Sequence, residues 1–140
     1  NFARKHEYAW CYSTGKKFLF NSDDVRVDRK VGKNMRTGQN YTKGTIPTCV
    51  WEKNNHTTSK DYCGWHPTTK NIEVLERIIR AYSNENDLIL DPFMGSGSTA
   101  IACKLSNRDY IGSELDQEYV KKARARVKSY DRINTLSAIL

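Results

Sequence analysis

Residues 88–100, LILDPFMGSGSTA, leave few choices for the fold around them. A short run that is apolar at every position suits a parallel strand covered on both faces, not a half-solvated one with alternating pattern. Asp91 and Pro92 end that run, and Gly95-Ser96-Gly97 forms a turn before a helix-compatible stretch of about residues 98–105. A second short apolar run, Tyr110-Ile111-Gly112, stands where the next strand of a β-α-β unit should be. Upstream, Ile72, Leu75, Ile79 and Tyr82, with Val74 and Ile78 beside them, share one helical face. Downstream, residues 116–130 read as another helix, with Asp116 as its cap and Tyr119 and Ala123 on the face that packs inward. The order helix, strand, helix, strand, helix predicts an α/β layer with parallel strands and right-handed crossovers.

On open parallel sheets, ligands bind beyond the carboxyl ends of the strands. Gly95 and Gly97 permit positive φ and close approach to the backbone, with no Cβ in the way. The amides at the start of the following helix can then face a polar or anionic group. Glu114, just past the second strand, is placed for its carboxylate to accept both hydroxyls of a ribose. Together these features predict a nucleoside-containing cofactor lying across two strand tips. A GxG alone is a common turn, so the order of the parts carries the reading. A phosphate-binding P-loop is excluded, since no Gly-Lys-Ser/Thr follows. A dinucleotide site is a competitor, because GSGSTA fits GxGxxA. Against it, Asp91-Pro92 terminates the strand, and HPTTK precedes the unit.

The 140 residues carry a formal net charge of +7, which favours an acidic partner, nucleic acid before an anionic membrane surface. Mean hydropathy is −0.74 and no apolar run approaches a membrane span, so no membrane association is expected. The chain opens on Asn1, which suggests a piece of a longer protein or a processed product. Residues 1–20 contain EYAWCYS and KKFLF around Gly15, which read as a β-hairpin apolar on both faces and therefore part of a larger sheet. Residues 21–65 show little periodicity and many turn formers, with strand character only at Thr48-Cys49-Val50-Trp51. Here Arg29, Lys30, Lys33 and Arg36 are candidates to neutralise phosphates, and Asn34, Arg36, Gln39 and Asn40 to reach base edges. The four cysteines show no paired spacing, which suits free thiols in a reducing compartment. A zinc site from Cys49, His56, Cys63 and His66 is disfavoured by long, irregular spacing, so no metal is expected.

Residues 46–127 resemble the C-terminal half of the β-class DNA amino-methyltransferases, whose catalytic motif precedes the cofactor motif. That family runs from a tryptophan segment through HPTxKP, an amphipathic helix and DPFxGSGTT to G-x-E with a later Tyr and Arg. Here the order is TCVW, HPTTKN, NIEVLERIIRAY, LILDPFMGSGSTA and YIGSELDQEYVKKARARV. Residues 1–20 resemble the segment before the recognition region. The resemblance implies S-adenosylmethionine as cofactor, lined by Asp91, Phe93, Gly95, Gly97 and Ser98, with Glu114 on the ribose hydroxyls. It also implies that His66, Pro67, Thr68 and Lys70 close over the methionine end, Lys70 facing its carboxylate. Asn71 replaces the usual proline, a change at the helix start, and Ser98 keeps the hydroxyl of the usual threonine.

The expected fold is therefore α/β: a Rossmann-like methyltransferase sheet, incomplete in this chain, with an irregular basic target-recognition region. Residues 1–20 would be a strand hairpin of that sheet, 21–65 the recognition region and 66–140 the cofactor-binding part. The family's catalytic motif, Asp/Asn/Ser-Pro-Pro-aromatic, is absent: Pro47, Pro67 and Pro92 are the only prolines and none are adjacent. In this chemistry the motif holds the target amino group of a flipped base. No catalytic residue is therefore assigned, and the motif is expected in an upstream half, on the same or a separate chain. The expected whole is a bacterial or phage-encoded cytoplasmic enzyme methylating adenine N6, in preference to cytosine N4, in double-stranded DNA. Restriction partner and orphan are both open. A catalytically inactive cofactor- or DNA-binding module is the alternative, and a nicotinamide-dependent oxidoreductase fragment a third.

Overall fold

The computed structural model describes residues 7–28, 37, 44–52 and 61–137, with 131–137 described by backbone alone. Five regular elements follow one another: α1 (Ile72–Tyr82), β1 (Leu88–Asp91), α2 (Ser98–Leu105), β2 (Asp109–Gly112) and α3 (Gln117–Ser137). The predicted order is thus observed, with β1 and β2 paired in parallel so that Leu88 faces Asp109 and Asp91 faces Gly112.

Helices α1 and α3 begin where a side chain takes up their free amides, whereas α2 starts from Gly97 with no side-chain cap. Asn71 accepts from the Val74 N–H at 3.1 Å, so the residue standing in place of proline caps α1. Asp61 adds a second acceptor, its Oδ2 lying 3.0 Å from the Ile72 N–H. Asp116 caps α3 as expected, accepting from Glu118 and Tyr119. The ends of α1 and α2 converge on Arg108, which is buried. Its guanidinium donates to the Ser83 carbonyl at 2.7 Å, the Ser83 hydroxyl and the Ser106 carbonyl. A cation at two helix C-termini meets the negative ends of both dipoles and pairs their orphan carbonyls.

The core lies between α1 and α2. Ile72 and Ile79 pack on Ala100, Ile101, Ala102 and Cys103, with Val127 of α3 and the half-buried Ile89, Met94 and Tyr130 at its margin. Small residues on α2 let the two helices approach closely. Burial pushes the Cys103 thiol up to about 11, so it is protonated at neutral pH. Iodoacetamide is expected to label the exposed Cys11 and Cys49 in the folded chain and Cys103 only with unfolding. Mass mapping of the labelled peptides at increasing denaturant checks this.

Three expectations are corrected. Residues 7–20 form no strand and no hairpin; they are irregular, with a bend at residues 14–16. Phe18 and Phe20 pack on Tyr82 at the end of α1 instead, at 6.4 and 5.5 Å between ring centroids. Tyr8, Trp10 and Tyr12 are largely exposed. A segment apolar on both faces needs strands on its flanks, and β1 and β2 are the only strands among the described residues. The second correction concerns β1, predicted to be covered on both faces. Ile89 turns to the core, while Leu88 and Leu90 are 65% and 68% exposed, because helices cover one face only. Likewise residues 48–51 are irregular with a bend at Cys49, not a strand, and Trp51 Nε1 donates to the Thr48 carbonyl.

The irregular region is held at its start. Asn21 donates to the carbonyls of Ala81 and Ser83, a 3-10 turn follows at Asp23–Val25, and Val27 bridges to Thr45. The candidate DNA-contacting residues Arg29, Lys30, Lys33, Asn34, Arg36, Gln39 and Asn40 lie outside the described residues.

Candidate functional site: the loop after the first strand

The loop after β1 is fixed from both ends by one carboxylate. Asp91 Oδ1 accepts from the Phe93 N–H at 3.0 Å, and Oδ2 from the Thr99 hydroxyl at 2.6 Å. The strand end is thereby tied to the first turn of α2. Met94 donates to the Ser113 carbonyl, which ties the loop to the segment after β2. Within this frame Gly95 and Gly97 take φ of 50° and 78°, the left-handed region that favours glycine.

What fills the space beside the two glycines differs from expectation. A Cβ on Gly95 would lie 2.8 Å from His66 Nε2, and one on Gly97 would lie 3.2 Å from Val127. The close approach that glycine allows is used by the protein itself: His66 sits on Gly95, and α3 presses on Gly97. His66 in turn stacks edge-on against Tyr119 at 4.8 Å, with Trp65 alongside. The HPT segment, the glycine loop and the start of α3 are one packed unit.

Glu114 reaches across from the second strand tip. Its Oε2 accepts from the Gly95 N–H and its Oε1 from the Asp116 N–H, both at 3.0 Å. These donors, the Asp116 amide first, hold its carboxyl below the ordinary value, with burial opposing and the Gly95 and Leu115 amides and His66 assisting. Each oxygen retains a second lone pair for a further donor.

The other expected cofactor residues fall on different sides of the loop. Phe93 stands 86% exposed at the strand tip. Thr68 is exposed beside His66, its amide donating to Nδ1. Lys70 turns to Glu7, with Nζ 2.9 Å from the carboxylate. Ser98 is buried, and its hydroxyl accepts from Arg126 at 3.0 Å and lies 3.2 Å from Ser96 Oγ. That side chain therefore faces α3, leaving only the start of α2 to serve a ligand. Sequence reasoning missed Thr99, Arg126 and Asp61. A hydroxyl in the first helical turn after Asp91 signals the first; the other two depend on contacts across 65 positions. Cys63, weighed as a metal ligand, lies 3.1 Å from the Thr69 hydroxyl, and among the described residues no cluster could hold a metal ion.

A family model described as a DNA methylase matches residues 1–125. The chain belongs to the DNA methylase family. Among similar proteins, the type II methyltransferase M.HpaI of Haemophilus parainfluenzae is 41% identical over 115 residues, covering 81% of this chain and 35% of its own length. The DNA adenine methyltransferase YhdJ of Escherichia coli is 34% identical over 119 residues, covering 80% of this chain and 40% of its own length. The crystal structure of M1.HpyAVI in complex with SAM is 48% identical, with a TM-score of 0.43, over 44% of this chain and 32% of that one. This DNA methylase chain thus spans well under two thirds of the relatives it matches. No helix among the described residues is long and apolar enough to cross a membrane.

Proposed function

We propose that this chain is the cofactor-binding and target-recognition part of a DNA amino-methyltransferase that uses S-adenosylmethionine. Its two strands would belong to a larger Rossmann-like sheet, and the whole enzyme would methylate adenine N6 in preference to cytosine N4. Family membership supports the reaction class, and the name of the adenine-specific relative supports the base. The observation that carries the reading is Glu114, an ionised carboxylate held by two backbone amides beside a left-handed glycine at a strand tip. When bound, S-adenosylmethionine supplies a methyl group on a sulfonium, ready for attack by an amino nitrogen.

The residues present fit that cofactor. Glu114 has lone pairs left for two ribose hydroxyls. Phe93 offers an exposed ring for the purine face. Lys70 already holds a carboxylate, that of Glu7, and an exposed ion pair of this kind is worth only about 0–1 kcal/mol. The carboxylate of a methionine moiety can displace it at little cost. Asp91 and His66 hold the loop, and Gly95 and Gly97 permit its path.

Methyl transfer itself would need the Pro-Pro motif, which we assign to an upstream half of the fold, on this polypeptide or another, working in the bacterial or phage-infected cytoplasm. The test is transfer of labelled methyl from S-adenosylmethionine to unmethylated double-stranded DNA by the chain combined with such a half. N6-methyladenine in the digested DNA is the expected product. Cofactor binding without transfer supports a catalytically inactive binding module instead. Changing Arg29, Lys30, Lys33 and Arg36 to alanine is expected to weaken DNA binding and flatten its log–log salt slope by about 3–4. Identical affinity at every salt concentration would remove residues 21–65 from the recognition role.

A further inference from the structure

The Arg126 side chain touches both the glycine loop and the segment leaving the recognition region. It projects from the face of α3 that also carries Ala123 and Val127, the residues packed on Gly97. Its Nη1 donates to the Ser96 carbonyl and the Ser98 hydroxyl, each at 3.0 Å. Its Nη2 donates to the Asp61 carbonyl at 2.7 Å. Asp61 is buried, and its side chain caps α1 through the Ile72 N–H. Only residues 62–71 separate Asp61 from the start of α1, and they contain the whole HPTTK segment with His66 seated on Gly95. One planar guanidinium therefore spans two chain segments that flank the proposed cofactor pocket.

We propose that Arg126 is a positioning residue, a clasp that fixes the cofactor loop at Ser96–Ser98 against the exit of the recognition region at Asp61. The fork geometry is what the task requires. A guanidinium presents several donors in one plane, so it satisfies acceptors on both segments at a fixed separation. A lysine ammonium on a flexible stem cannot hold the same set rigidly. Loosening the contact at either end frees the other. The consequence for cofactor binding rests on the function proposed above; the clasp itself does not.

Amide hydrogen exchange on the full 140-residue chain without cofactor tests it directly. In Arg126→Met, amides at Gly95–Ser98 and at Asp61–Trp65 are expected to exchange at least about tenfold faster relative to those of Ile79 and Ala102 in the α1–α2 core. A merely structural role would lower protection of all these amides together. Arg126→Lys keeps the charge and stem and is expected to show the same local pattern at smaller size, which covers the case where the methionine variant does not fold. If neither variant raises exchange at the loop and the exit segment above that of the core, the clasp is wrong. Loosening at one segment only would also overturn it. Adding S-adenosylmethionine to the wild-type chain combined with a polypeptide bearing the Pro-Pro motif separates the two readings. Protection of Gly95–Ser98 supports the cofactor assignment, while its absence with the local pattern intact counts against the cofactor and leaves the clasp standing.

Discussion

Glu114→Gln is expected to lower the affinity for S-adenosylmethionine about a hundredfold, which calorimetry on the chain combined with a polypeptide bearing the Pro-Pro motif would read. The carboxylate accepts from the Gly95 and Asp116 amides and has lone pairs remaining for the ribose. An amide of the same shape has one acceptor oxygen, so it faces one backbone N–H with another donor. Losing an acceptor where backbone amides and ribose hydroxyls both donate is expected to cost roughly a hundredfold in affinity. The pH dependence follows from the depressed folded value. Because the fold holds the Glu114 carboxyl below its ordinary 4.5, this contribution is fully present above that value. It is lost as pH falls through the lower folded value. The Glu114 contribution is therefore flat from about pH 7 to about pH 5, and the glutamine variant shows no acid-dependent loss of its own.

The largest effect on stability is expected at Gly97. An alanine there must adopt φ of 78° with its methyl 3.2 Å from Val127 and 3.3 Å from Ala123. The left-handed conformation costs roughly 1–2 kcal/mol and the overpacking roughly 1–3. A combined loss of about 2–5 kcal/mol is a large share of a small domain's stability and should lower Tm by about 10 °C or more. Gly64→Ala is the matched control, since Gly64 has φ of 72° and nothing within 4 Å of its would-be Cβ. It carries the strain without the clash. Thermal unfolding should show the Gly97 variant well below the Gly64 variant; equal losses would mean that α3 does not press on the loop.

The two glycines also mark where sequence reading succeeds and where it stops. Helices and strands from Ile72 to α3 were legible because their signals are local. Examples are the helical face at Ile72, Leu75 and Ile79, the cap at Asp116 and the break at Asp91-Pro92. The need for glycine at 95 and 97 was legible for the same reason. What approaches them was not, because His66 and Val127 reach those positions through packing across 29 and 30 residues of chain respectively. The segment EYAWCYS reads as strand by composition, yet strand pairing depends on neighbours, and β1 and β2 pair with each other. Leu88, Leu90 and Ile111 carry the same message, being apolar and exposed. Buried polar residues such as Arg108 and Asp61 are hardest to read, since what pairs them is the convergence of helix ends and loop carbonyls that are distant in sequence.

The loop at residues 91–100 with Glu114 stands at the centre of this account, and one titration addresses it. The chain, combined with a polypeptide bearing the Pro-Pro motif, is titrated calorimetrically with S-adenosylmethionine and separately with NAD. Saturable heat is expected with S-adenosylmethionine alone, abolished or shifted about a hundredfold by Glu114→Gln. Heat with NAD and none with S-adenosylmethionine would contradict it.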